Sequence, residues 1–279
     1  MQTTKQGGMI PDNDIVVRDS GKSGAVTTVM VGVHGNELAG PLVLEKVIKE
    51  IEIFSGKVNF IFANLEALKQ NKRFCDVNMN RYFSHKNNNS IGNSYEEKRI
   101  AEILPYIEQS DYLLDCHNST STVNSVPMLI GEQPEWGQYF DIDLMVTGFN
   151  DFQPGASDGY MADAGKVGIC LESGNLTDEY GPLRVEKAIY NFLKATKNVL
   201  GEPEIYDSVE YNFDINYITQ TDSFYLNKEF GDFEEVKKGQ LIGTDGSIPV
   251  YASYDGVLLF SHNRYAIGEE AFCMGKRVI

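Results

Sequence analysis

Apolar positions along the chain fall into short continuous runs separated by stretches with helical spacing. AVTTVMVGV (25–33) is a nearly unbroken, β-branched run. A strand buried on both faces reads this way, as in a parallel sheet. It runs into HGNE, after which LAGPLVLEKVIKEI repeats its apolar residues every three to four positions, the period of a half-buried helix. KVNFIFAN (57–64), DYLLDCH (111–117), VPMLIG (126–131), DLMVTG (143–148) and GKVGICLESG (165–174) read as further strands. SYEEKRIAEILPYIEQ (94–109) and PLRVEKAIYNFLKATKNVL (182–200) read as amphipathic helices. Strands alternating with helices predict an α/β fold with a mixed, largely parallel sheet flanked by helices. Such sheets gather chemistry at the carboxyl ends of their strands, and HGNE, CHNS and ESG all lie at such ends.

The pattern changes at GEP (201–203). Beyond it come short β-like runs punctuated by turns, so we expect an α/β domain over residues 1–201 and an all-β domain over 202–279. The piece VKKGQLIGTDGSIPVYASYDGVLLF has the look of a carrier hairpin for a lipoyl or biotinyl group. Its turn, Thr244-Asp245-Gly246-Ser247, has no lysine to carry one, so a structural β-module is expected instead.

Composition narrows the functional classes. The net charge of −16 argues against a nucleic-acid partner, whose phosphates need basic patches. An anionic substrate would need local arginines working against the global field. No run reaches the ~18 apolar residues of a membrane span, and the opening MQTTKQGGMIPDND has no secretory pattern. A cytoplasmic protein without a membrane or nucleic-acid partner is expected. Cys75, Cys116, Cys170 and Cys273 form no CxxC pair and are expected to be reduced, isolated thiols. Strand alternation turns Cys116 away from His117 and puts Cys170 on the face of Glu172 but deeper.

Three sets of residues carry candidate chemistry. His34 and Glu37, in HxxE at a strand end, and His117, at the end of another strand, are the residue types of a catalytic zinc centre with three protein ligands and an open position. Satisfied structural histidines are the bland alternative, but two of only four histidines end predicted strands. Glu172 in CLESG is placed to take a proton from a metal-activated water. Arg73, Asn80 and Arg81 lie within nine residues, and arginine both grips carboxylates bidentately and stabilises oxyanions. His85, in an Asn-rich loop, could line the mouth of such a pocket; His262 lies in the tail, and neither is given a role.

The ordered set HGNE, R-x6-NR-x-F, DCH and ESG resembles the succinylglutamate desuccinylase/aspartoacylase family, which belongs with the zinc carboxypeptidases. The resemblance spans residues 29 to about 185, and that family also ends in a β-domain. It implies a zinc-dependent hydrolase cleaving the amide bond of an N-acyl amino acid, with one Zn2+ on His34, Glu37 and His117. It further implies Glu172 as general base, Arg73 as helper of the zinc at the scissile carbonyl, and Asn80 and Arg81 as the grip on a substrate carboxylate. In NRYAIGEEAF it selects Tyr265 as a substrate contact. Two positions depart from the pattern. Asp-x-Asn-Arg reads Asn78-Met79-Asn80-Arg81, and the arginine of aspartoacylases proper is replaced by Ala162, with Lys166 the sole cation between His117 and Arg184. The rival readings are a metallocarboxypeptidase acting on short peptides and a non-catalytic metal- or ligand-binding protein. Self-association into a homo-oligomer is left open.

Overall fold

A computed structural model of the chain describes residues 2–4, 7–84, 92–119 and 125–279. Gln2–Thr3 (β1) and Met9–Ile10 (β2) form a small ribbon. There follow Ile15–Asp19 (β3), Val26–Val31 (β4), helix Ala39–Glu50 (α1), Lys57–Phe62 (β5), Leu65–Gln70 (α2) and Tyr95–Glu108 (α3). Next come Tyr112–Ser119 (β6), Met128–Ile130 (β7), Leu144–Thr147 (β8), Phe149–Phe152 (α4), Ser157–Asp163 (α5), Val167–Asn175 (β9) and Gly181–Ala195 (α6). The remainder is all strand: Val209–Ile218 (β10), Phe224–Leu226 (β11), Glu234–Val236 (β12), Leu241–Asp245 (β13), Ile248–Tyr251 (β14), Gly256–Leu259 (β15) and Glu270–Arg277 (β16).

One sheet runs through most of the molecule in the order β12-β15-β16-β10-β8-β7-β9-β6-β4-β5-β3. Its middle is largely parallel, with β4 beside β5 and β6, β6 beside β9, and β8 beside β7 and β10. Antiparallel pairs lie at β3–β5, at β7–β9 and among the C-terminal strands. The mixed sheet between helices that the alternating pattern predicts is therefore present. The stretch after residue 201 adds strands to that same sheet, and β11, β13 and β14 form a smaller one beside it.

Alternation along the strands sorts the core into two layers. Val29, Val31, Phe60, Phe62, Leu114 and Cys116 face α1 and α6, where Val43, Leu44, Val47, Val185, Ile189 and Phe192 close the packing. Met30, Ile61 and Leu113 point the other way, onto Ile100, Ile103 and Ile107 of α3 and Tyr160 and Met161 of α5. The capping box at the start of α3, Ser94 with Glu97, satisfies two otherwise orphaned N–H groups.

The antiparallel edge strand β3 and the short helices α2, α4 and α5 escape sequence reading. β3 is half-exposed, and four- to seven-residue helices are too short to show a period.

Truncating Phe192, fully buried between the sheet and α6, is expected to destabilise the fold by about 3–5 kcal/mol. Leu183→Ala, on the exposed side of the same helix, should stay within about 0.5 kcal/mol. Urea denaturation of the two variants checks the assignment of faces.

Candidate metal centre and active site

The parallel register puts the carboxyl ends of β4, β6 and β9 side by side, with His117 directly opposite Glu172. His34 and Glu37 follow β4 in the turn that leads into α1, where Glu37 N–H bonds the His34 carbonyl at 3.2 Å. Gly35 has to be glycine. A Cβ there would lie 2.0 Å from the main-chain carbon of Ala67. That close approach lets Gly35 N–H reach the carbonyl of Arg73 at 3.1 Å, tying the HGNE turn to the arginine loop.

Three buried donors converge. Glu37, 2% exposed, has Oε1 2.8 Å from His34 Nδ1 and Oε2 3.0 Å from His117 Nδ1. The two Nδ1 atoms are 3.3 Å apart. Ligands held by one ion at about 2.0–2.2 Å lie roughly 3–3.5 Å from each other, so this triangle has the size a divalent metal needs. The far sides of the rings support the same reading. His34 Nε2 donates to Asn78 Oδ1 at 2.9 Å, and that oxygen also accepts from Asn80 N–H. His117 Nε2 lies 3.0 Å from Asp115 Oδ2, which Ser157 Oγ holds at 2.6 Å. With protons on Nε2, both Nδ1 lone pairs face Glu37, the arrangement of metal-ligating histidines. Asn78 thus does the orienting work at the position where sequence comparison shows an aspartate missing.

The electrostatics ask for positive charge between these groups. Burial alone would raise the Glu37 carboxyl, but the two imidazoles outweigh it and hold it well below the usual carboxylate range. Burial disfavours imidazolium at His117 too, yet Asp115 and Glu37 push it well above histidine's ordinary value. Arg73 Nη1 adds an ion pair to Glu37 Oε1 at 3.0 Å, and Asn118 N–H bonds Oε2 at 3.1 Å.

His34, Glu37 and Asn118 line a cleft of about 900 Å³, counted out to open solvent. Glu172 lines it, pushed up to about 7 chiefly by burial, and its Oε2 is buried without a partner among the described residues. Arg73, Asn80 and Arg81 line it as well. Their loop is held from below by Glu96 of α3, which accepts from the N–H groups of Cys75, Asp76 and Val77. Asn80 Oδ1 accepts from Ser157 N–H. Arg81 is paired with Glu270 of β16 at 3.2 Å and bonded to Gln153 at 3.0 Å.

Tyr265 is not brought into the cleft. It is 67% exposed, with its ring against Tyr225. Its neighbour Arg264 is bonded through both N–H and C=O to Phe224, and in extended chain successive side chains face opposite ways. Phe260, His262 and Arg264 line the cleft. Sequence reading assigned none of these a role, nor Asp115, Asp158 or Glu270. Only Asp115 carried a signal, being two residues before His117 on one strand. Asp158, buried in the cleft wall, is pushed up to about 7 by burial and then by Asp115. Cys116 and Cys170 are buried thiols raised well above their ordinary value, and all four cysteines are free, in keeping with inert packing. His85 lies outside the described residues. Among those residues no helix is long and apolar enough to cross a membrane.

Residues 23–202 match the succinylglutamate desuccinylase/aspartoacylase catalytic domain. The chain belongs to that family. It is 26% identical to the succinylglutamate desuccinylase of Pseudoalteromonas atlantica over 90% of this chain and 81% of the other. It is 32% identical to a Xenopus tropicalis N-acyl-aromatic-L-amino acid amidohydrolase over 38% of each. The succinylglutamate desuccinylase structure from Vibrio cholerae superposes with a TM-score of 0.79, at 19% identity, over 99% of this chain and 90% of that one. Its relatives in the family are hydrolases.

His117→Ala is expected to abolish tight binding of a divalent ion, measured by calorimetric titration with zinc. Asp115→Asn should weaken it about 10–100-fold through the orienting contact.

Proposed function

We propose that the chain is a zinc-dependent hydrolase that cleaves the amide bond of an N-acyl amino acid. One observation supports this above others. His34 and Glu37, two members of the His34–Glu37–His117 triangle, line the same cleft as Glu172, whose Oε2 is buried without a partner among the described residues, and this pairs a metal centre with a base. The named activities of the family relatives, desuccinylase and N-acyl amino acid amidohydrolase, agree with it.

His34, Glu37 and His117 would hold the ion. Zinc, when bound, acts as a Lewis acid and lowers the pKa of water. Glu172 withdraws a proton from the attacking water and returns it to the leaving nitrogen. Its raised pKa suits both halves of that task, because a base near neutrality both accepts and gives up the proton readily. Arg73, held by Glu37, presents its guanidinium to the carbonyl oxygen as negative charge develops there. Asn80 and Arg81 grip a substrate carboxylate and fix the scissile bond over the centre. Burial of the floor strengthens each of these charge interactions.

Glu172→Gln should lower kcat by about 10²–10⁴-fold while leaving one zinc per chain by mass spectrometry; near-normal turnover would remove Glu172 from this role. Because Glu172 must be ionised to act and its pKa is about 7, kcat/KM should fall on the acid side of that value, roughly tenfold per pH unit. A panel of N-acyl amino acids and dipeptides separates deacylation from peptide cleavage.

A further inference from the structure

The stretch from Phe260 to Arg264 reaches the cleft from the C-terminal strands, and its alternate residues line it. Phe260 is held with φ at +55° by Asp232 Oδ1, which accepts its N–H at 3.1 Å. Bulky side chains rarely adopt that conformation, and here it sets the ring edge-on to Phe149, with centroids 6.1 Å apart. With Ile130 these two rings make an apolar wall. Arg264 is fixed at Nε by the Glu270 carbonyl at 2.5 Å, and its two terminal nitrogens have no partner among the described residues.

The charges can be counted. Arg73 is paired with Glu37 and Arg81 with Glu270. Glu270 also fixes Arg264 through its carbonyl, so Arg81 and Arg264 stand on either side of one residue. Two guanidinium groups against one carboxylate leave a single positive charge there. The other acidic groups in the cleft, Asp158 and Glu172, have no ion pair among the described residues and offer no positive charge to a second anionic group.

We propose that Phe260 and Arg264 form the substrate selector of this enzyme. Arg264 acts beside Arg81 to receive one carboxylate, and Phe260, with Phe149 and Ile130, receives an apolar side chain. The substrate class is a monoanionic N-acyl apolar amino acid in preference to dianionic N-acyl aspartate or glutamate derivatives. This deepens the deacylase reading and rests on it.

The test compares wild type, Arg264→Met and Arg264→Lys, all zinc-loaded, on N-acetyl-phenylalanine, its carboxamide, N-acetyl-aspartate and N-succinyl-glutamate. Wild type is expected to favour N-acetyl-phenylalanine at least tenfold in kcat/KM. Arg264→Met should raise KM for that acid about 10–100-fold, as loss of a charge-assisted contact does. Its kcat should stay within about threefold, the carboxamide should be unaffected, and Arg264→Lys should recover part of the loss. Preference for a dianion, or an equal loss on acid and carboxamide, overturns the selector. If no substrate turns over, the deacylase reading fails by itself. The shift in Tm caused by N-acetyl-phenylalanine then decides the selector: a shift in wild type that Arg264→Met loses upholds it, and the absence of any shift, or an equal shift in both, overturns it.

Discussion

The Glu37 carboxylate sits almost without water between two imidazoles, and the site is organised around meeting its needs. A buried carboxylate is costly unless charge and hydrogen bonds compensate it. Glu37 receives them from His34, His117, Arg73 and the Asn118 N–H. Those partners come from the turn after β4, from β6 and from the loop after α2. They meet only if the parallel register of β4 and β6 is kept and the HGNE turn lies close on Ala67. Ser173 and Asn118 then stitch β9 to β6, through Ser173 Oγ on the His117 carbonyl and Asn118 Nδ2 on Ser173 Oγ. Glu172 is thereby fixed relative to the imidazoles, and a single buried charge accounts for much of the local geometry.

Most of this architecture was readable in the sequence because its determinants are local. The continuous apolar runs of β4, β5, β6 and β9 and the helical spacing of α1, α3 and α6 each appear in one window, and His34, Glu37, His117 and Glu172 stand at the ends of those runs. The second layer was harder. Asn78 looked like a loss, because its role depends on a ring 44 residues earlier in the chain. Arg264 and Tyr265 are adjacent in a stretch without regular alternation of polar and apolar residues. Which of them turns inward is set by the pairing of Arg264 with Phe224, a long-range contact that no local pattern reports.

The strong negative charge of the protein stops being a puzzle at the scale of the cleft. Arginines 73, 81 and 264 all border it, and each is fixed by an acidic residue or a main-chain carbonyl. Positive charge is arranged in pairs of known partners and left open at few points. An anion drawn into so acidic a protein is guided by local geometry over a distance comparable to the screening length, about 8 Å at physiological salt.

The stretch between Phe260 and Arg264 also bears on how such a protein can change. Phe260 is pinned through its N–H by Asp232, His262 by the Ala271 carbonyl and Arg264 by Phe224, so single side chains can be exchanged there on a fixed backbone. The groups between His34 and Glu172, in a different part of the chain, would be left untouched. The lining contributed by the C-terminal strands can therefore vary without disturbing the positions of His34, Glu37, His117 and Glu172.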